Sequence, residues 1–212
     1  MRYLACVLAC EGNSDRTFFP ELLKRALEEL CAEHVPSAIT VLPIRVLDAE
    51  VQRPESVLAA VRREEGTFDL VFFHHDGAPP RMFEDAWGRM SSAWDADRRA
   101  EPLIAVGPIR ETEAWMLADA KTLADVLGVA EQEVRRCLPQ RRHQVESISD
   151  PKELLAKLLG SARGRRRRAA AQECFIRLAE EIPVTSLKEL PSFRQWWEAT
   201  RKALDDFGFG HG

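Results

Sequence analysis

The chain has 212 residues, 45% of them hydrophobic and 30% charged, and a formal net charge of −4. This length can bury a full core without staples, and the acidic balance excludes a generally basic nucleic-acid coat. No apolar run approaches the roughly 18 residues of a membrane helix, and no signal-peptide pattern opens the chain. We therefore expect a cytoplasmic protein without a membrane partner.

Strand and helix patterns alternate along the first half of the chain. Continuous apolar runs predict strands at residues 3–9, 39–46, 69–74 and 103–109. Between them we expect a helix that starts with Asn13 or Ser14 as its cap and runs to about His34, and helices at 54–65 and 82–99. Pro43 interrupts the second strand and places it at an edge. This alternation indicates an α/β fold with a central, mainly parallel four-stranded sheet covered by helices on both faces.

The strand signal fades after Arg110. Apolar periodicity predicts helices at 113–118, 121–127, 131–138, 151–159, 166–180 and 193–207. We therefore divide the chain into an α/β core at residues 1–120 and a helical extension, packed on that core, at residues 121–212.

Acidic side chains follow three of the four predicted strands. Glu11 ends the first strand, Asp76 follows the third, and Glu111 and Glu113 follow the fourth. Ligands of open parallel sheets bind beyond the carboxyl ends of the strands, and clustered carboxylates suit Mg²⁺ or Mn²⁺. The alternative for Glu11, and for Asp15 in the first helical turn, is a favourable interaction with the helix dipole. Glu111 and Glu113 could likewise be capping residues.

These segments resemble the Toprim catalytic fold, a Rossmann-like fold of topoisomerases, primases and overcoming-lysogenisation-defect nucleases. The sequence EGNSD resembles its first motif, and LVFFHHDGA resembles its second. The sequences PIRETEAWMLAD and SDPKELL are similar to a small Toprim-like family called domain of unknown function 4276. The resemblance covers residues 1 to about 160.

The resemblance implies roles for the acids and for one lysine. Glu11 would be the invariant acid and Asp15 the second carboxylate of the nuclease branch, while Glu111 or Glu113, with Lys152, would complete the site. The implied metal ligands are Glu11, Asp15, His74, Asp76, Glu111 and Glu113, with Glu113 favoured over Glu111. The implied catalytic residues are Glu11, Glu113 and Lys152.

The second motif departs from the Toprim pattern, which has two acids two residues apart. Asp76 stands alone, so either His74 replaces the first acid or Ala78 replaces the second. A histidine ligand tolerates Mn²⁺ better than Mg²⁺. Adjacent His74 and His75 face opposite sides of a strand, and we expect at most one of them to face the site.

Three further features have a structural and a functional interpretation. Asp150 and Pro151 predict a helix start, at which Lys152 opposes the helix dipole unless a phosphate lies nearby. Of Trp196 and Trp197, we expect one in the core and one at a partner surface. An arginine run is either a solvated helix face or a contact to a nucleic-acid backbone; it comprises Arg163, Arg165, Arg166, Arg167 and Arg168.

We therefore expect a nuclease that cleaves phosphodiesters with Mg²⁺ or Mn²⁺, on DNA in preference to RNA. The resemblance adds an ATPase partner and a role in defence against phage. The chain has no phosphate-binding loop of the GxxxxGK[ST] type. The alternatives are a non-catalytic subunit that binds nucleic acid or a partner, and a hydrolase of small phosphorylated molecules. A homo-oligomer is compatible with each.

Overall fold

A computed structural model of the chain describes residues 2–35, 38–76, 80–161 and 167–208. The strands are β1 Arg2–Leu4, β2 Cys6–Ala9, β3 Ile39–Val41, β4 Arg45–Val46, β5 Leu70–Phe73 and β6 Leu103–Ala105. The helices are α1 Asn13–His34, α2 Pro54–Arg63, α3 Pro80–Ala96, α4 Glu113–Met116, α5 Ala120–Leu127, α6 Glu131–Cys137, α7 Pro151–Ser161, α8 Arg167–Glu181, α9 Val184–Leu187 and α10 Pro191–Asp206, with a 3₁₀ helix at Arg142–Ser147.

All strand pairings among the described residues are parallel. One sheet has the order β4-β2-β5-β6, and β1 pairs with β3 in a separate two-stranded sheet. The prediction of a parallel α/β fold is confirmed, but the single four-stranded sheet is replaced by sheets of two and four strands. The division falls at Ala5, whose N–H donates to the Asp69 carboxylate at 2.8 Å, and at Pro43, which has no N–H to donate.

Side chains of β2 alternate between two hydrophobic cores. Cys6 and Leu8 pack into a core that contains residues of α1, α7, α8 and α10. Val7 and Ala9 pack into a second core with residues of α2 and α3. Helices therefore cover both faces, as the continuous apolar strands predicted. The helices after residue 120 share the first core with α1 and the sheet.

Element boundaries shift by a few residues from their predicted positions. The fourth strand ends at Ala105, before Gly107 and Pro108, and the short α9 and 3₁₀ helices were not predicted. Arg163, Arg165 and Arg166 lie outside the described residues; Arg167 and Arg168 begin α8, but their side chains are not described. Within the described ranges, no helix has both the length and the apolar character of a bilayer span.

The expectation that one tryptophan of the Trp196–Trp197 pair marks a partner surface is wrong. Trp196 is 1% exposed and Trp197 is 5% exposed. Both rings contact Phe193, and the Lys188 ammonium lies 3.7 Å from the centre of the Trp197 ring. Helix α10 can bury both side chains because neighbouring elements cover it over more than one side.

A buried hydrogen-bond chain connects α4, the 3₁₀ helix and α10. The indole N–H of Trp115 donates to Ser192 Oγ at 2.8 Å, and the Ser192 hydroxyl donates to the Glu146 carboxylate. Burial raises the pKa of Glu146, while the bonds from Ser192 act in the opposite direction. Ser192 is thus the link that satisfies two buried polar groups.

We predict that Ser192→Ala lowers the free energy of unfolding by about 1 to 3 kcal/mol, because the Trp115 N–H and the Glu146 carboxylate each lose a buried partner. Urea unfolding followed by tryptophan fluorescence measures this change. Ser92→Ala, on the exposed side of α3, is the control and should change stability by less than about 0.5 kcal/mol. Equal stability of the two variants would contradict the prediction.

Candidate metal centre

The carboxyl ends of the central strands lie side by side. Ala9 is level with Phe73, and Phe73 is level with Ala105. The His74 N–H donates to the Ala9 carbonyl at 2.8 Å, which extends this register by one residue. Residues that follow β2, β5 and β6 therefore meet at one edge of the sheet, as the sequence predicted.

Helix α1 begins at this edge with an acidic side chain folded back on its own first turn. Gly12, rather than Asn13 or Ser14, occupies the N-cap position. Its N–H donates to Asp15 Oδ2 at 2.8 Å. A Cβ on Gly12 would lie 3.1 Å from this oxygen, so glycine gives the carboxylate its space. The predicted cap was wrong because Asp15 itself satisfies the free N–H at the helix start.

Asp15, His74 and Asp76 form a compact cluster in which one ligand atom of each lies within 4.8 Å of the others. His74 Nε2 lies 3.6 Å from Asp15 Oδ2 and 3.5 Å from Asp76 Oδ1. Asp15 and His74 are each 1% exposed, while Asp76 is half-exposed. The cluster can therefore be reached from solvent on the side of Asp76.

A backbone carbonyl orients the imidazole ring of His74. His74 Nδ1 lies 2.8 Å from the Val106 carbonyl oxygen, and only a protonated Nδ1 can donate to it. Nε2 therefore faces the two carboxylates, which is how metal-binding histidines are commonly held. Two carboxylates and one imidazole form a donor set that suits Mn²⁺ better than Mg²⁺. The residues present thus fit a divalent cation.

The electrostatics of the cluster favour a positive charge between the acids. Burial opposes the charge of His74, but the hydrogen bond to Asp76 and the charges of Asp15 and Asp76 raise the pKa of His74 above its usual value. The same hydrogen bond lowers the pKa of Asp76 against the effect of its own burial. A proton on His74 or a divalent cation can supply that charge.

Thr112 connects two members of the cluster and was assigned no role from the sequence. Its hydroxyl donates to Asp15 Oδ1 at 2.7 Å, and the same oxygen lies 3.3 Å from His74 Nε2. Thr112 is buried immediately before α4. No local pattern marks Thr112 in the sequence, because its partner Asp15 lies 97 residues away.

Glu111, Glu113 and Lys152 lie on the α7 side of the cluster. Glu113 is buried, and this burial raises its pKa, while the charge of Lys152 lowers it. Lys152 also lowers the pKa of Asp76, so its ammonium acts on both acids. Glu111 accepts the backbone N–H of Lys152 at 3.2 Å and thereby anchors the start of α7. The predicted cap of α7 is confirmed, since Asp150 accepts the Glu153 N–H at 2.6 Å.

Glu11 lies beside the cluster and lines a cleft of about 520 Å³. Its carboxylate accepts a hydrogen bond from Gln52 and lies 3.8 Å from His75 Nε2. His75 is buried, with Nδ1 2.9 Å from the Asp76 carbonyl oxygen. Each histidine therefore faces a carboxylate at this edge, His74 in the cluster and His75 at Glu11. At most one of the two was expected to face the site. The cleft is lined by Glu11, Gln52, His75, Asp76, Met82, Asp85 and Arg89.

The structure thus separates the predicted ligands into two groups. Asp15, His74 and Asp76 lie close enough for one cation, whereas Glu11, Glu111 and Glu113 are not members of a cluster of this kind among the described residues. Of the two residues offered to explain the incomplete acidic pair, His74 lies in the cluster, and Ala78 lies outside the described residues. Gln52 was missed because it lies in the turn before α2, beyond the end of β4, and meets Glu11 across 41 residues.

Comparison with known protein families shows that residues 10–200 match the family model described as Domain of unknown function (DUF4276). The chain belongs to this family. The matched region of the DUF4276 family begins directly before Glu11 and includes the cluster, the cleft and Lys152. No curated protein and no solved structure matches the chain.

We predict that Asp76→Asn lowers the pKa of His74, because the charge and hydrogen bond that stabilise the imidazolium are weakened. NMR titration of the histidine ring protons in EDTA measures this shift. The exposed His143 serves as an internal reference. Asp206→Asn is the matched control, because the exposed Asp206 ends α10 and belongs neither to the cluster nor to the lining of the cleft. An unchanged or raised pKa in Asp76→Asn would refute the coupling.

We also predict that Gly12→Ala weakens Mn²⁺ binding about tenfold, since the new Cβ displaces the Asp15 carboxylate. Free Mn²⁺ measured by electron paramagnetic resonance during titration gives the affinity. Gly88→Ala is the control, because a Cβ at this exposed position of α3 would meet nothing within 4 Å. The control should keep its Mn²⁺ affinity and gain about 0.5 to 1 kcal/mol of stability. The prediction fails if the two variants bind Mn²⁺ equally well.

Proposed function

We propose that this DUF4276 protein is a divalent-metal-dependent phosphodiester hydrolase that acts on nucleic acid. The convergence of Asp15, His74 and Asp76 at the carboxyl edge of a parallel sheet, beside an open cleft, carries this proposal. A buried histidine that presents Nε2 to two carboxylates is an arrangement for holding a cation. Lys152, whose charge acts on Asp76 and Glu113, supplies positive charge for an anionic substrate.

The relationship to Toprim nucleases is part of the proposal. Two acids at the carboxyl ends of neighbouring parallel strands support it. Glu11 follows β2 after Cys10, and Asp76 follows β5. By the same resemblance, we infer DNA as the polymer, the cytoplasm as the location, and an ATPase partner in defence against phage.

We infer that Mn²⁺ is favoured over Mg²⁺, because an imidazole is among the three donors. Asp15, His74 and Asp76 would hold the ion, with Glu11 and Glu113 close by. When bound, a divalent ion polarises a phosphate oxygen and lowers the pKa of water.

The remaining roles belong to side chains of the chain itself. Lys152 would stabilise negative charge that develops on the phosphate oxygens. Glu113, whose pKa is raised by burial, would exchange a proton at the edge of the site, as a general acid or base must. Glu11, placed between Gln52 and His75, would orient the attacking water from the side of the cleft.

A hydrolase of small phosphorylated molecules is the second candidate. The volume of the cleft, about 520 Å³, falls within the range of small-molecule pockets. This candidate uses the same cluster and the same cation, and differs from the first in the length of the substrate.

We predict that the wild-type protein nicks supercoiled plasmid in Mn²⁺, faster than in Mg²⁺, and that EDTA abolishes nicking. Asp76→Asn should reduce the rate about a hundredfold or more, because several kcal/mol of charge stabilisation are lost. Glu11→Ala should also lose activity.

Asp206→Asn makes the same chemical change at the end of α10, outside the cluster and the cleft, and should nick at the wild-type rate. Equal nicking by Asp76→Asn and Asp206→Asn would exclude the cluster as the active centre. Salt-dependent DNA binding by every variant without nicking would favour the non-catalytic subunit.

A further inference from the structure

Arg89 is the cation that lines the cleft beside the cluster. It extends from the exposed side of α3 and shares the cleft with Glu11, His75 and Asp76. The opposite side of α3 is anchored through Ala86 and Met90 in the core that also holds Val7 and Ala9. The helix that carries Arg89 is therefore packed firmly against the sheet, and the position of Arg89 relative to the edge is set by that packing.

The guanidinium of Arg89 takes part in no ion pair or hydrogen bond among the described residues. Asp85 lies one turn earlier on α3 and lines the same cleft, but no ion pair joins the two side chains within 4.0 Å. Other arginines of the protein do pair with carboxylates: Arg99 bonds Glu101 at 2.7 Å, and Arg62 pairs with Asp97. An arginine that leaves its donors free beside several acids can offer them to an external anion.

A second cation approaches the cluster from the other face of the sheet. Lys152 stands in the first turn of α7, whose Leu155 and Leu158 belong to the core shared with α1. Its ammonium forms no ion pair within the described ranges, although its charge acts on Asp76. The acid cluster thus lies at a sheet edge between two available cations, one carried by a helix on each face.

We propose that Arg89 binds a phosphate adjacent to the scissile phosphate, so that the substrate is a phosphodiester chain that crosses the carboxyl edge from Lys152 into the α3 cleft. This inference rests on the proposed function and selects the polymer over the small-molecule substrate. One phosphate alone would not engage cations on both sides of the edge. Met82, which is 48% exposed in the cleft, provides an apolar contact for the sugar or base between the two phosphates.

The proposed contact affects binding of a chain and not the chemistry at its scissile bond. Arg89 is a specificity residue in this scheme, because it contacts a part of the substrate that does not react. Its removal should therefore raise the KM for an oligonucleotide, and should leave the turnover of a diester with a single phosphate unchanged.

The first test measures binding without cleavage. A fluorescein-labelled 12-nucleotide single strand is titrated in EDTA at several salt concentrations with the wild type, Arg89→Gln and Arg136→Gln. Arg136 is the matched control, exposed on α6. Arg89→Gln should bind about tenfold more weakly at low salt, and its slope of log affinity against log salt should be smaller by about 0.7. A slope equal to that of Arg136→Gln would overturn the proposal.

The second test compares two substrates in Mn²⁺: the oligonucleotide and bis(4-nitrophenyl) phosphate, a diester with a single phosphate. Arg89→Gln should raise the KM for the oligonucleotide about tenfold and leave kcat/KM for the small diester within twofold of the wild type. Equal losses on both substrates would refute the proposal, since Arg89 would then support the metal centre itself. If the wild type hydrolyses neither substrate, the proposed hydrolase fails, and the salt slope alone decides whether Arg89 contacts a phosphate.

Discussion

The buried carboxylate of Asp15 holds the carboxyl edge of this protein together. It accepts the Gly12 N–H at 2.8 Å and the Thr112 hydroxyl at 2.7 Å, and it lies 3.6 Å from His74 Nε2. A buried charge is tolerated only when its oxygens are paired. Each partner comes from a different segment: the start of α1, the approach to α4, and the end of β5. Satisfying one carboxylate therefore fixes three segments relative to each other.

The same constraint explains why the site is both rigid and charged. His74 is held on its other side by the Val106 carbonyl and packs 4.6 Å from the Phe19 ring, so its ring has little freedom to turn away from the acids. Asp76 remains half-exposed. A structure in which the two inner members are locked and the outer member faces solvent can accept a cation with little reorganisation. The α7 and α3 sides also differ: Lys152 acts on the acids from the α7 side, whereas the α3 side contains the cleft of about 520 Å³.

Much of this arrangement was predictable because it depends on neighbours in sequence. Apolar runs predicted the parallel strands, and the polar residues that follow them predicted which edge carries the site. Asp150 and Pro151 predicted the start of α7 through local capping chemistry. The parts that were missed depend on contacts between residues that are far apart in sequence. Thr112 was overlooked because its partner Asp15 is 97 residues away, and Gln52 because it meets Glu11 across 41 residues.

By itself, the sequence determined the parallel α/β scaffold and the family to which the chain belongs. It also determined that Glu11, Asp76 and Glu113 lie at the same edge, beyond the carboxyl ends of their strands. Periodicity and capping express local energies, and these are set by residues a few positions apart. The tertiary structure alone decided that Asp15, His74 and Asp76 form the cluster and that Trp197 is buried. Desolvation and charge pairing act between side chains in contact, and only the packing of helices on both faces brings those contacts about.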